Sequence, residues 1–75
     1  MHADQELDTS GLSCPLPLLK TRKSLAAMQP GQVLRIIATD PGSTDDIKAF
    51  ADHAGHVLLS STSVQGRHVH LLRKG

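Results

Sequence analysis

The apolar positions of this chain change their period several times, and each change marks an element. From 15 to about 28, Leu18, Leu19, Leu25, Ala26 and Met28 recur at near-helical spacing with Lys20, Arg22 and Lys23 interleaved. This predicts an amphipathic helix, stopped by Pro30-Gly31. Residues 32–39 instead run Val33, Leu34, Arg35, Ile36, Ile37, Ala38, nearly continuous and β-branched. That pattern predicts a central strand with Leu34, Ile36 and Ala38 on one face and Arg35 on the other. After a turn at Asp40-Pro41-Gly42, the residues Ile47, Phe50, Ala51 and Ala54 fall at i, i+3, i+4 and i+7, the best helical pattern in the sequence. Ser43 and Thr44 are its capping candidates, Asp45 and Asp46 sit in the first turn where negative charge is favoured, and Gly55 ends it.

The flanking segments carry weaker patterns. Residues 5–9 are short and polar, with Leu7 the one strong apolar residue, and predict a first or edge strand. Residues 57–63 and 67–73 predict two strands joined across Gln65-Gly66, with Val69 and Leu71 on the buried face of the last. The order βαβαββ predicts an α+β fold, a two-layer α/β sandwich with two helices on one face of a four-stranded mixed sheet. The other sheet face would meet solvent and carry Arg35, His68, His70 and the Ser and Thr residues of 57–63.

Composition narrows this picture. Seventy-five residues make a single domain, 1–75, with Met1 to about Gln5 expected to be flexible. The 39% of hydrophobic residues is almost wholly aliphatic, Phe50 being the sole Phe, Tyr or Trp, so the core should be modest and stability marginal. A net charge of +1 is too small to argue for nucleic acid as the main partner. No apolar stretch approaches the roughly 20 residues that span a bilayer. One cysteine cannot form an internal disulfide, and the N-terminus shows no charged segment followed by an apolar run, so a reducing cytoplasm is the expected compartment.

That cysteine is the candidate for chemistry. Cys14-Pro15-Leu16-Pro17 follows Gly11-Leu12-Ser13 at the predicted junction of first strand and first helix. Pro15 disfavours the helical region for the residue before it, placing Cys14 just outside the helix, and itself suits the first helical position, where a missing N–H costs nothing. Pro17 falls in the same turn. Free donors such as the Leu16 N–H, with the positive end of the helix dipole, should then face the sulfur and make Cys14 ionise more readily than a free cysteine. A lone cysteine is more often a small buried hydrophobe; two prolines and a glycine around it make a poor core site and favour the reactive reading.

Three thiol chemistries compete. Thioredoxin-type exchange needs a resolving second cysteine, which the chain lacks. A hydrolytic nucleophile needs an oriented histidine base; His2 is terminal, His53 and His56 straddle a helix end, and His68 and His70 lie on the last strand, which argues against it. Covalent carriage of sulfur remains, with Cys14 attacking the outer sulfur of a donor persulfide and later surrendering it to another protein's cysteine. Here the absence of a second thiol helps, because a neighbour would discharge the persulfide as hydrogen sulfide. His68 and His70 share a strand face, but two imidazoles are too few for a closed zinc site, so no metal is expected.

The sequence resembles the TusA (SirA-like) sulfur-carrier proteins from about Leu7 to Arg73. The motif D-x-x-G-L-x-C-P-x-P appears as Asp8, Gly11, Leu12, Cys14, Pro15 and Pro17, and D-P followed by D-I as Asp40, Pro41, Asp46 and Ile47, with Phe50 at the usual aromatic position. The resemblance implies that Cys14 carries persulfide sulfur, supported by Gly11, Pro15, Leu16 and Pro17, with no metal or organic cofactor. It also implies a cysteine desulfurase or rhodanese-type donor and a further relay protein as acceptor, serving tRNA 2-thiolation, molybdenum-cofactor assembly or sulfur oxidation. Lys48 stands where many relatives have proline, and Leu16 where many are polar. Lys20, Arg22 and Lys23 form a candidate docking surface. The alternative is a non-catalytic regulatory or interaction domain that binds protein or RNA through that basic surface, with Cys14 serving only packing.

Overall fold

A computed structural model describes residues 3–75. The elements follow in the order β1 (Gln5–Thr9), α1 (Leu16–Ala26), β2 (Val33–Ala38), α2 (Ser43–Ala54), β3 (Val57–Val64) and β4 (Arg67–Arg73). They form one four-stranded sheet in the order β1-β2-β4-β3, in which β1 runs parallel to β2 while β4 runs antiparallel to both β2 and β3. This is the expected two-layer arrangement. The hairpin between β3 and β4 turns on Gln65 and Gly66, both at positive φ (52° and 78°), as a two-residue connection matched to strand twist requires. Of the N-terminal stretch expected to be flexible, Asp4 is tied to β2, its N–H donating to the Val33 carbonyl and its carboxylate accepting the Val33 N–H, each at 2.8 Å, and Gln5 begins β1. Met1 and His2 lie outside the described residues.

The core is aliphatic. Leu34 and Ile36 of β2 and Leu72 of β4 meet Leu25 and Met28 from the first helix segment and Ile47 and Ala51 from α2, with Leu7, Leu18, Leu58 and Phe50 packed around them. On α1 the buried stripe is Pro17, Thr21 and Leu25, not a run of leucines. Thr21 fits there because its hydroxyl donates to the Pro17 carbonyl at 2.8 Å, leaving only its methyl to the core. Leu16 and Leu19 stay 44% and 49% exposed. The helix also stops at Ala26, before Pro30-Gly31, with the Met28 N–H closing a turn onto the Leu25 carbonyl.

The faces of β4 are the reverse of those expected from its sequence. His70 and Leu72 are fully buried toward the helices, whereas Val69 and Leu71 are half-buried on the open face. The register decides this: Leu34 stands opposite Leu72 and Ile36 opposite His70, so the buried side of β2 carries those residues inward with it. Ser61 and Ser63 face the same way as His70 and His68, to whose rings they are hydrogen-bonded. Arg35 does lie on the open face, where it pairs with Glu6 at 3.5 Å. There a shallow concavity of about 380 Å³ is lined by Arg35, Thr62, Val64, Gln65, Arg67 and Val69.

Candidate functional site

Because β1 and β2 are parallel and in register up to Thr9 and Ala38, the segments that follow them leave from the same edge of the sheet. One carries Cys14; the other carries Asp40 and leads into the first turn of α2, with Asp46. Loops at the carboxyl ends of parallel strands are where α/β folds place their sites.

Short-range bonds shape the cysteine turn. Asp8 Oδ1 accepts the Ser10 N–H at 2.9 Å, starting the turn, and the Leu12 N–H closes it onto the Thr9 carbonyl at 3.1 Å. Gly11 sits at φ +80°, a backbone region open to glycine, and its N–H donates to Thr39 Oγ1 at 2.8 Å, tying the turn to the end of β2. Thr9 is buried, with its hydroxyl donating to the Ile37 carbonyl at 2.7 Å. The Ser10 hydroxyl and N–H, with Arg67 at longer range, hold the Asp8 carboxyl below its usual range. Asp8 and Gly11 thus act as builders of the loop that presents the thiol.

Cys14 is exposed. Pro15, expected at the first helical position, is instead the residue that caps α1 (φ −98°, ψ 12°), so the helix starts one residue later than expected, and Pro17 falls in the first turn. The Leu16 N–H is not free for the sulfur: it donates to the Ser13 carbonyl at 2.9 Å, and the Leu19 N–H donates to the Pro15 carbonyl at 3.1 Å. The expected ease of ionisation is reversed. Hydrogen bonding to the Asp46 carboxylate, then removal from water, then the negative charges of Asp46 and Asp40, push the Cys14 thiol above its ordinary pKa. The first backbone donor of the helix is taken up by the Ser13 carbonyl and so does not face the sulfur to offset those carboxylates.

The basic residues of α1 divide. Lys20 and Lys23 lie with Leu16 and Leu19 at helical spacing on one exposed stripe that starts beside Cys14. Arg22 instead borders a groove of about 170 Å³ between the far ends of the helices, with Leu25, Ala26, Phe50, Ala54, His56 and Lys74. The imidazoles of His68 and His70 are engaged by Ser63 at 2.6 Å and by Ser43 and Ser61 at 3.1 and 2.8 Å. No cluster of three or more metal-ligating side chains occurs among the described residues. In the sequence Asp40 and Asp46 read as parts of a turn, a helix start and the family motif; the parallel pairing of β1 with β2 is what brings them to the thiol's side of the sheet.

Fold and site together define a class: a small α/β sandwich that presents its one cysteine on the loop leaving a parallel strand pair. Residues 5–74 match the family model described as sulfurtransferase TusA, and the chain belongs to that family. The sulfur carrier protein TusA of Allochromatium vinosum is 54% identical over 71 residues, which span 95% of this chain and 93% of its own. A protein of Neisseria meningitidis serogroup A is 48% identical over 62 residues, 83% of this chain and 84% of its own. The crystal structure of a SirA-like protein from Desulfitobacterium hafniense shares the fold, with a TM-score of 0.82 at 20% identity over 95% of this chain and 97% of its own.

Proposed function

We propose that this protein is a sulfur carrier that holds sulfane sulfur on Cys14 as a persulfide. The observation that carries the reading is the exposure of the chain's one thiol on a loop pinned to two strands. The Cys14 thiolate attacks the outer sulfur of a donor persulfide, the donor's S–S bond breaks, and the donor leaves as a thiolate that takes up a proton. Delivery is the same exchange in reverse sense, with the acceptor's thiolate attacking the outer sulfur on Cys14. No net oxidant or reductant is consumed, because sulfur moves at a constant oxidation level.

The raised thiol pKa bears on timing. With Asp40 and Asp46 beside it, the Cys14 thiol gives up its proton less readily than an ordinary cysteine. A donor that brings cationic groups to this edge offsets those charges and raises the thiolate fraction where it is needed. The exposed stripe of Leu16, Leu19, Lys20 and Lys23 suits a partner with both apolar and acidic surface next to its reactive sulfur. A cysteine desulfurase or rhodanese-type donor and a relay protein acting as acceptor, in the cytoplasm, fit this chemistry; tRNA 2-thiolation, molybdenum-cofactor assembly and sulfur oxidation are the candidate destinations.

The test is loading. Incubated with a cysteine desulfurase and free cysteine, the wild type gains the mass of one sulfur atom, reversed by a reducing thiol, and Cys14→Ser does not. No gain on the wild type, or an equal gain on Cys14→Ser, rejects the proposal in favour of an interaction domain.

A further inference from the structure

Among the described residues His70 is the one fully buried imidazole, set in an aliphatic layer opposite Ile36 and beside Leu72. Both its ring nitrogens are bonded, Nε2 to Ser43 Oγ at 3.1 Å and Nδ1 to Ser61 Oγ at 2.8 Å. A neutral imidazole has one donor and one acceptor nitrogen, and serine hydroxyls serve either role, so the set is complete. Ser61 comes from β3 and Ser43 from α2, so this side chain of β4 ties an edge strand and a helix start to the centre of the sheet. Its titratable neighbour is His68, whose ring stacks on it at 6.3 Å.

The bond to Ser43 has a local cost. Ser43 and Thr44 are the capping candidates of the sequence, yet no side chain caps α2, which starts after Gly42. The buried hydroxyl is given to His70 instead, and the first turn of α2 is anchored by the sheet. Ser43 also fixes what precedes and follows it. Its N–H donates to the Asp40 carbonyl at 3.1 Å, and the Asp46 N–H donates to the Gly42 carbonyl at 3.1 Å. The two carboxylates close over Gly42, where a methyl group would stand 3.3 Å from Asp40 Oδ2 and 3.8 Å from Asp46 Oδ2.

We propose that His70 is a positioning residue for the Cys14 site, holding through Ser43 the turn that sets the Asp40 and Asp46 carboxylates beside the thiol. This rests on the reading of Cys14 as the working sulfur. Loss of the His70–Ser43 bond frees the start of α2, the carboxylates draw away into solvent, and the thiol returns toward the behaviour of an ordinary cysteine.

The pH dependence of Cys14 alkylation by iodoacetamide tests this, because a purely structural histidine alters stability without moving that profile in the folded protein. In His70→Leu and in Ser43→Ala, the profile moves to lower pH and the rate at neutral pH rises several-fold, while His70→Gln, which can still bond Ser43, stays close to the wild type. Circular dichroism confirms that each variant is folded, and should His70→Leu fail to fold, the single-atom deletion in Ser43→Ala decides. Profiles that superimpose on the wild type overturn the proposal. Sulfur loading of the wild type separates the two ideas: if loading occurs and the profiles do not move, the positioning role fails and the carrier stands; if the wild type takes up no sulfur, the carrier reading fails.

Discussion

Cys14 owes its ionisation to its surroundings, where Asp46 and Asp40 bring negative charge. The prolines and the helix start place the thiol, but Asp46 and Asp40 set its ionisation, against the direction that a helix terminus alone would give. Asp46→Asn removes the carboxylate that does most to raise the thiol, so Cys14 in this variant should alkylate faster than wild type at neutral pH; an unchanged or slower rate would show that Asp46 does not govern the thiol. Gly11 is the other residue with a sharp expectation. At φ +80°, with nothing within 4 Å of where a Cβ would stand, Gly11→Ala meets backbone strain and no clash. The cost should be about 1–2 kcal/mol, read as a drop in the melting temperature of roughly 4–8 °C per kcal/mol in a domain of this size.

At the scale of elements, α1 serves two ends. Pro17, Thr21 and Leu25 fasten it to the sheet, and Leu16, Leu19, Lys20 and Lys23 are left for a partner. Lys20→Glu with Lys23→Glu should therefore slow loading from a protein donor while leaving loading from inorganic polysulfide unchanged. Equal slowing from both sources would move those lysines from docking into chemistry. The order of elements, the central position of β2, the hairpin at Gln65-Gly66 and the loop of Cys14 were legible in the sequence because each rests on local signals: period, turn residues and prolines. The inward face of β4 was not. Its sequence alternates Val69 and Leu71 against His70 and Leu72, so both faces hold apolar residues, and the choice is made by pairing with Leu34 and Ile36 and by serines 43 and 61, which satisfy the buried imidazole. The thiol's acidity was misread for a similar reason, since Asp40 and Asp46 reach it only through the parallel pairing of β1 with β2.

For the whole molecule, a small aliphatic core makes stability sensitive to single groups. Leu72→Ala, which empties a fully buried position between sheet and helices, should cost about 2–5 kcal/mol, a large part of the total for a domain this short. Stability should also fall with acid. Burial, then the neighbouring His68, lower the His70 pKa in the fold, so the unfolded chain binds that proton more readily. The contribution of neutral His70 is complete above about pH 6.5, the ordinary imidazole value, and is lost as pH falls through the folded value. Asp8, whose folded pKa is depressed, adds a further loss at lower pH, in the carboxylate range. Thermal unfolding followed from neutral to mildly acid pH should show the first decline, and His70→Gln should flatten it; a wild type that gains stability on mild acidification contradicts this assignment.

The carrier account is tested most directly by counting cyanide-labile sulfur on the charged protein. After charging and removal of the donor, cyanolysis of the wild type should release one thiocyanate per chain and leave Cys14 as the free thiol, and Cys14→Ser treated alike should release none. Release of thiocyanate from Cys14→Ser, or none from a folded wild type with its thiol intact before charging, would contradict it.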